Sequence, residues 1–423
     1  MKVLQIIITL VATSMFFFPF VLNVLPNVNS KMILAAMGLI ALIVNLAKGK
    51  LARFDRDFLI ISLLSLGVCM ASYMTMTINN TPDNSYLTYI VSMWVWAGAA
   101  YLVTRMIKVV HHTLSVELVC YYLIAVGVIQ CILAVVIESS PIIRHYIDGM
   151  LGGELYMSTG GGRMHGIGCA LDVAGSRFAA LLVMIAFLIP HEYNNQNQNK
   201  RGLLLIIAFF IITIIGSMIG RTTAVGSILG IICLTFTFTF KGQLFNGSRQ
   251  TFLAHFGCIF LIIISLATIA YNSEPHWREQ IRFGFEGFFS LVEKGKWEVH
   301  SNDILMDSYI FPTNIKTWII GDGYIATTNI DPYYTGVNYS GFYKGTDVGY
   351  CRFIFYFGLI GLIAFITFIT KVCQVCAKRF YEYRYMFICL YLLNLAIWLK
   401  VSTDLFLVFA PFLCINPQDD KNC

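Results

Sequence analysis

The sequence predicts an all-α protein, a polytopic transmembrane helix bundle of roughly 12 spans carrying one large polar loop between spans 9 and 10. Three observations lead there. Hydrophobic residues make up 57% of the 423 residues and charged residues only 12%, with a mean hydropathy of +0.72; a soluble domain carries about 25% charged residues. The apolar residues fall in segments close to the length of about twenty that a helix needs to cross hydrocarbon. Lys and Arg crowd every second connector, the asymmetry that orients helices with their basic loops inside.

The apolar segments lie near 3–23, 32–47, 58–76, 86–106, 115–137, 169–190, 203–219, 223–240, 252–271, 349–371, 385–399 and 403–415. The first follows Lys2 and has no small-residue cleavage site after it, so it reads as a membrane helix rather than a removed signal. The last is short and contains Pro411, which marks it as broken or only partly spanning. Basic connectors hold Lys48, Lys50, Arg53 and Arg56; Arg105 and Lys108; Lys200 and Arg201; Lys241 and Arg249; and Lys371, Lys378, Arg379 and Arg384. The alternate connectors, such as 75–84, are nearly free of Lys and Arg. Both termini are therefore expected in the cytoplasm, with 139–166 and 272–348 on the outer side. The chain divides into a first membrane part, 1–271, the polar loop, 272–348, and a second membrane part with a cytoplasmic tail, 349–423.

The net charge of +6 comes from membrane-flanking residues, so it implies no nucleic-acid partner. The 12 cysteines show no disulfide pattern, and the lone Cys373-Gln-Val-Cys376, placed in a basic connector, is weak as a metal motif. Within the polar loop, 283–295 reads as an amphipathic helix suited to a membrane surface. Short helices are expected around 301–310, with irregular coil through 331–341.

Charged residues within or beside spans are costly and are functional or paired. Arg221 sits in IIGSMIGRTTAVGSILG, between two apolar runs with almost no loop, at the outer face. It is either an interfacial anchor or a cation placed for an anion. Arg163, His165, Asp172 and Arg177 enter the sixth segment from outside, after the triplet Gly160, Gly161 and Gly162. Lys400 and Asp404 are four apart and read as a helical ion pair. Arg278 and Arg282, also four apart, put two guanidiniums on one face, a suitable arrangement for phosphate or simply a solvated basic face. His300 is a candidate base. Trp277, Trp297, Trp318 and the tyrosines from Tyr324 to Tyr343 suit sugar stacking or the membrane interface.

Together GRTTAVG, GDGY, TDVGYCRFIFYFGLIG and GGGRMHGIG…AGSRFAALL resemble the bacterial O-antigen polymerases, within the wider polymerase and ligase group of lipid-linked-sugar glycosyltransferases. The resemblance covers about residues 160–370. It implies an enzyme that joins oligosaccharide repeat units carried on undecaprenyl pyrophosphate, at the periplasmic face of the inner membrane, with no metal and no other cofactor. It leaves room for a chain-length regulator as a protein partner. It also implies pyrophosphate-binding roles for Arg221, Arg163 and Arg177, to which Arg278 and Arg282 are added on their spacing. In the ligases a catalytic His opens the segment that returns from the long loop. Here Asp347 stands at that place, which favours polymerase over ligase, with Asp347 the first candidate base and His300 the second.

The chemistry fits those residues. Pyrophosphate leaves as a stable anion, so the two carboxylates of a glycosidase are not required. One base for the acceptor hydroxyl and cations for the developing charge suffice. Asp347, at a helix N-terminus and near arginines, is expected to be held ionised, and the competing reading is that it simply caps the helix. The alternatives are an O-antigen ligase, which differs in acceptor, and a lipid-linked oligosaccharide or polysaccharide transporter (flippase), for which internal repeats would be expected. No repeat is visible.

Overall fold

The computed structural model describes residues 1–26, 28–48, 56–152, 163–194, 199–240, 246–326 and 341–416. Each of the twelve apolar segments contains a helix. They are α1 (Lys2–Phe17), α2 (Ser30–Ala47), α3 (Arg56–Asn79), α4 (Tyr89–His111), α5 (Val116–Ser139), α7 (Leu171–Asn194), α8 (Asn199–Ile219), α9 (Thr223–Phe240), α10 (Asn246–Ser273), α15 (Gly349–Arg379), α16 (Arg384–Ile397) and α17 (Phe406–Leu413). Seven of them, α3, α4, α5, α7, α8, α10 and α15, are long and apolar enough to cross a membrane, and α1, α2 and α9 are shorter apolar helices. Among the described residues the only ladder is a two-residue antiparallel pair, Val21–Leu22 with Leu151–Gly152. The fold is all-α, and its apolar helices make it a membrane protein.

Helix α7 is the centre of the bundle. In its most apolar stretch 89% of residues are buried inside the protein, against 11% for α10, whose side chains face outward. Where no water competes, helices associate by close backbone approach at small residues. Glycines supply that approach here: a Cβ on Gly226 of α9 would lie 2.2 Å from the Cα of Ala179 on α7, and one on Gly220 would lie 2.4 Å from the carbonyl oxygen of Leu171. The α8–α9 turn is thereby pressed onto the first turn of α7.

Helix α6 (Pro141–Met150) follows α5 in the connector before α7, and four further helices lie in the polar segment: α11 (Pro275–Gly284), α12 (Glu286–Lys294), α13 (His300–Asp307) and α14 (Ile315–Ile319). The expected amphipathic helix is present as α12, and α13 matches the second expectation; the coil expected at 331–341 falls almost entirely outside the described residues. Helix α11 packs on the end of α8, with Gly284 against Met218, so this segment caps the bundle end that carries Arg221.

The far end of the polar segment is tied into the bundle. Helix α15 breaks at Phe357–Gly358, where Gly358 has φ +63°. A break frees carbonyls that need donors. Asp322 N–H donates to Phe355 O at 2.6 Å and Gly323 N–H to Tyr356 O at 3.0 Å. Thr75 and Asn79 of α3 donate in turn to Ile320 O and Gly321 O. The GDGY stretch is therefore a clamp on a broken helix.

Two sequence expectations are corrected. Cys373 and Cys376 lie inside α15, which runs on to Arg379, and are buried there rather than in a connector. Lys400 and Asp404 form no helical pair, because α16 ends at Ile397 and Lys400 turns to Asp172 instead.

The glycine seam makes a contrast that thermal unfolding in detergent can read. Gly226→Ala forces α9 off α7 and should cost about 1–3 kcal/mol, as overpacking does. Gly67→Ala in α3 meets nothing within 4 Å and should be neutral or gain up to about 1 kcal/mol of helix propensity. Equal stability of the two variants would show that the seam is not tight.

Candidate functional site

Asp172 begins the site. It is the second residue of α7, after Leu171, whose φ of +57° is costly for a branched apolar side chain. The strained turn places the Asp172 carboxylate where Thr222 donates to it at 2.5 Å and Lys400 Nζ at 2.8 Å. Three elements distant in sequence meet there: the start of α7, the α8–α9 turn and the connector after α16.

Beside this junction Arg221 forms a salt bridge with Glu286, the first residue of α12. The guanidiniums of Arg221 and Arg163 lie 4.4 and 4.9 Å from the centre of the Phe283 ring, which brings two cations to one aromatic face system. Burial pulls the Arg221 guanidinium below its ordinary value; Glu286 opposes this and Arg163 reinforces it. Arg163 has no carboxylate within ion-pair distance among the described residues. A cavity of about 720 Å³ opens here, with Arg163, Arg221, Arg282, Glu286, Glu293 and His300 on its wall.

The structure thus brings four of the seven candidate residues to one cavity. Arg282 is held by Glu293 through two parallel bonds of 2.8 and 2.6 Å, which keep the carboxyl below its ordinary range. Arg278 shares its helix face with Arg282, as the spacing predicts, but both turn to Tyr271: Arg278 Nε donates to its carbonyl and Arg282 to its hydroxyl. Arg278 is exposed and does not line the cavity. His300 is exposed at the start of α13, and its backbone N–H donates to Glu286 Oε1 at 3.0 Å.

Arg177 lies elsewhere. Five residues along α7 from Asp172 is about 7.5 Å further down the helix axis. There Arg177 is buried, with Phe18 and Trp96 near its guanidinium. The expected grouping of Arg163 with Arg177 is therefore split between two depths. The triplet Gly160, Gly161 and Gly162 lies outside the described residues, as do Tyr333, Tyr334 and Tyr339. Trp297 packs on Phe288 and Trp318 stacks on Phe311, so these rings hold the cap together.

Asp347 is two residues before α15 and is not its cap, since Val348 occupies that position and makes no side-chain bond. Its Oδ1 is buried with no hydrogen-bond partner. The carboxyl is raised above its ordinary value, first by burial and further by the charge of Asp172, against the pull of Lys400 and Arg352. The lowered value expected from the helix terminus and the arginines is corrected: desolvation outweighs both. Asp347 does not line the arginine cavity and couples to it electrostatically through Asp172 and Lys400.

The sequence gives no sign of Glu286 and Glu293, which neutralise Arg221 and Arg282, or of Phe283, whose ring takes Arg163 and Arg221. Both glutamates lie on α12, and their pairing depends on how α11 and α12 fold against each other and against the α8–α9 turn, which no periodicity shows. Comparison with protein-family models, with curated proteins and with solved structures returns no match.

A carboxyl raised in the folded state stabilises the fold in its protonated form, and that contribution is lost as pH rises through its folded value. Asp347→Asn mimics the protonated form. The variant should unfold at or above the wild-type temperature at neutral pH, and the difference should vanish toward the ordinary carboxyl range near pH 4. A clear loss of stability at neutral pH would show that the ionised carboxylate is a structural partner.

Proposed function

We propose that this chain is a glycosyltransferase of the O-antigen polymerase kind, joining oligosaccharide repeat units carried on undecaprenyl pyrophosphate. The observation that carries the reading is the cavity at the α8–α9 turn, where Arg163, Arg221 and Arg282 converge next to Asp172, Lys400 and, through them, the half-buried carboxyl of Asp347. Three cations in a partly desolvated cavity suit a pyrophosphate, because guanidinium binds phosphate oxygens in a planar fork. Arg163 is ready for the first contact. Arg221 and Arg282 exchange Glu286 and Glu293 for the phosphate oxygens, which makes binding competitive with two internal ion pairs. The freed glutamates let the cap of α11 and α12 move.

In the reaction the bond between the donor's anomeric carbon and the pyrophosphate oxygen breaks, and a bond to the acceptor hydroxyl oxygen forms. The hydroxyl proton passes to a base and the electron pair leaves with the pyrophosphate. A raised carboxyl value makes Asp347 a better proton acceptor than an ordinary aspartate, since base strength follows pKa. Its orphaned Oδ1 is the accepting atom. His300 remains second, being exposed and on the opposite side of Glu286 from Arg221 in the hydrogen-bond chain.

The finer topology belongs to the same proposal: about twelve crossings, both termini cytoplasmic, 272–348 in the periplasm, and the whole in a bacterial inner membrane with lipid and a chain-length regulator as partners. A ligase would attach finished polymer to another acceptor, and a flippase would move the lipid-linked unit without bond formation. Surface-polysaccharide gels from a deletion strain separate these. A single repeat unit on the final lipid is the polymerase result; complete absence of attached polymer, or repeat units trapped inside, would reject it.

Arg221→Ala in the complemented strain should cut polymer formation by a factor of about 10² to 10³, the cost of one preorganised charge donor, at normal protein levels. Arg221→Lys should restore little, because ammonium cannot make the planar fork. Full-length ladders from Arg221→Ala would reduce the residue to an interfacial anchor. For topology, a single cysteine at Lys316 in a cysteine-free variant should react with a membrane-impermeant maleimide from the periplasmic side. Labelling only after the inner membrane is opened would invert the arrangement.

A further inference from the structure

At the opposite end of α7 from Asp172 lies a second polar cluster that the proposed chemistry does not use. His191 is 19 residues from Asp172, about 28 Å along the helix at 1.5 Å per residue. We propose that Glu117, His191 and Glu192 bind a divalent transition-metal ion of the zinc type, clasping the start of α5 to the end of α7.

Geometry comes first. One ligand atom from each of the three residues lies within 4.8 Å of the other two. His191 Nδ1 is 3.3 Å from Glu117 Oε1. Two ligands each about 2.0–2.2 Å from one ion fall within such a span.

The second observation is independent of the clustering. Glu192 is only 1% exposed, yet its Oε2 is buried with no hydrogen-bond partner. Burying an ionised carboxylate oxygen without a donor is costly, and such groups are paired or coordinate metal. The other oxygen is already engaged: Tyr121 hydroxyl donates to Glu192 Oε1. Tyr383 hydroxyl likewise donates to Glu117 Oε1 at 2.5 Å. Hydrogen bonds of this sort orient ligating carboxylates and are the usual outer partners of a metal site.

Access agrees. Glu117, Tyr121 and Arg201 lie together on the wall of a cavity of about 720 Å³. The His191 side chain is 53% exposed, so the ion has a path from solvent. One imidazole and two carboxylates, with no thiolate among them, suit zinc or manganese and not copper(I). At about 28 Å along α7 from Asp172, the ion is a structural clasp and takes no part in glycosyl transfer.

The test uses the full-length protein purified in detergent, stripped of metal by chelator and dialysed against Zn²⁺. We expect one Zn²⁺ per chain above background and a raised unfolding temperature, because a ligand that binds only the folded state stabilises it. Co²⁺ in place of Zn²⁺ should give visible d–d bands without a thiolate charge-transfer band, which separates this site from the protein's cysteines. Glu192→Gln keeps the side chain's size, and His191→Ala removes the imidazole. Each should weaken Zn²⁺ binding by at least about 10-fold, the lower end of what even outer partners cost. No Zn²⁺ bound by the stripped wild type, binding unchanged in Glu192→Gln, or a thiolate band with Co²⁺ would each overturn the proposal. The Glu192→Gln result decides the matter even where His191→Ala fails to fold.

Discussion

One carboxylate holds the candidate site together. Asp172 accepts from Thr222 on the α8–α9 turn and from Lys400 beyond α16, residues 50 and 228 positions away in sequence. Hydrogen bonds to a charged group contribute about 1.5–3 kcal/mol each when partly shielded. More is at stake than that sum, because the three elements joined at Asp172 carry Arg221, the support of the cap and the approach to Asp347. The strained Leu171 and the close approach of Gly220 to its carbonyl lie in the same turn. Local strain of this kind persists where its surroundings over-determine it.

The cap shows how a polar segment of short helices gains a fixed position on an apolar bundle. Helices of 5 to 10 residues are not stable alone in water. Here Gly284 on Met218 and the Arg221–Glu286 pair tie the cap to the bundle, and the Arg282–Glu293 pair ties α12 to α11. The second pair is exposed enough that solvent screens most of its worth. An anion entering the cavity therefore competes with weak partners on one side and a better-shielded one on the other.

Much of the helical architecture was legible in the sequence because hydropathy in long segments is a strong, local signal; every apolar segment contains a helix. Residue clusters were legible only where chain proximity and spatial proximity coincide. Arg278 and Arg282 share a face as their spacing predicts, and Arg221 stands on a tight turn as its flanking apolar runs predict. Lys400 with Asp404 failed because a helix end between them broke the spacing rule. Arg163 and Arg177 were grouped by sequence but separated by helical rise. Glu286 and Glu293 were invisible as counter-charges, since the pairing depends on how two short helices fold back. Asp347 was placed correctly before the returning helix, but its acidity was misjudged: burial, unreadable from sequence, outweighs the helix terminus.

The proposed reaction turns on a pyrophosphate leaving from a lipid-linked sugar. The most direct measurement supplies purified protein with undecaprenyl-pyrophosphate-linked repeat units and follows products by mass spectrometry. The account predicts lipid-linked chains of two and more repeats, with one free undecaprenyl pyrophosphate released for each new glycosidic bond. Substrate that stays unchanged, or longer chains without matching release of undecaprenyl pyrophosphate, would contradict it.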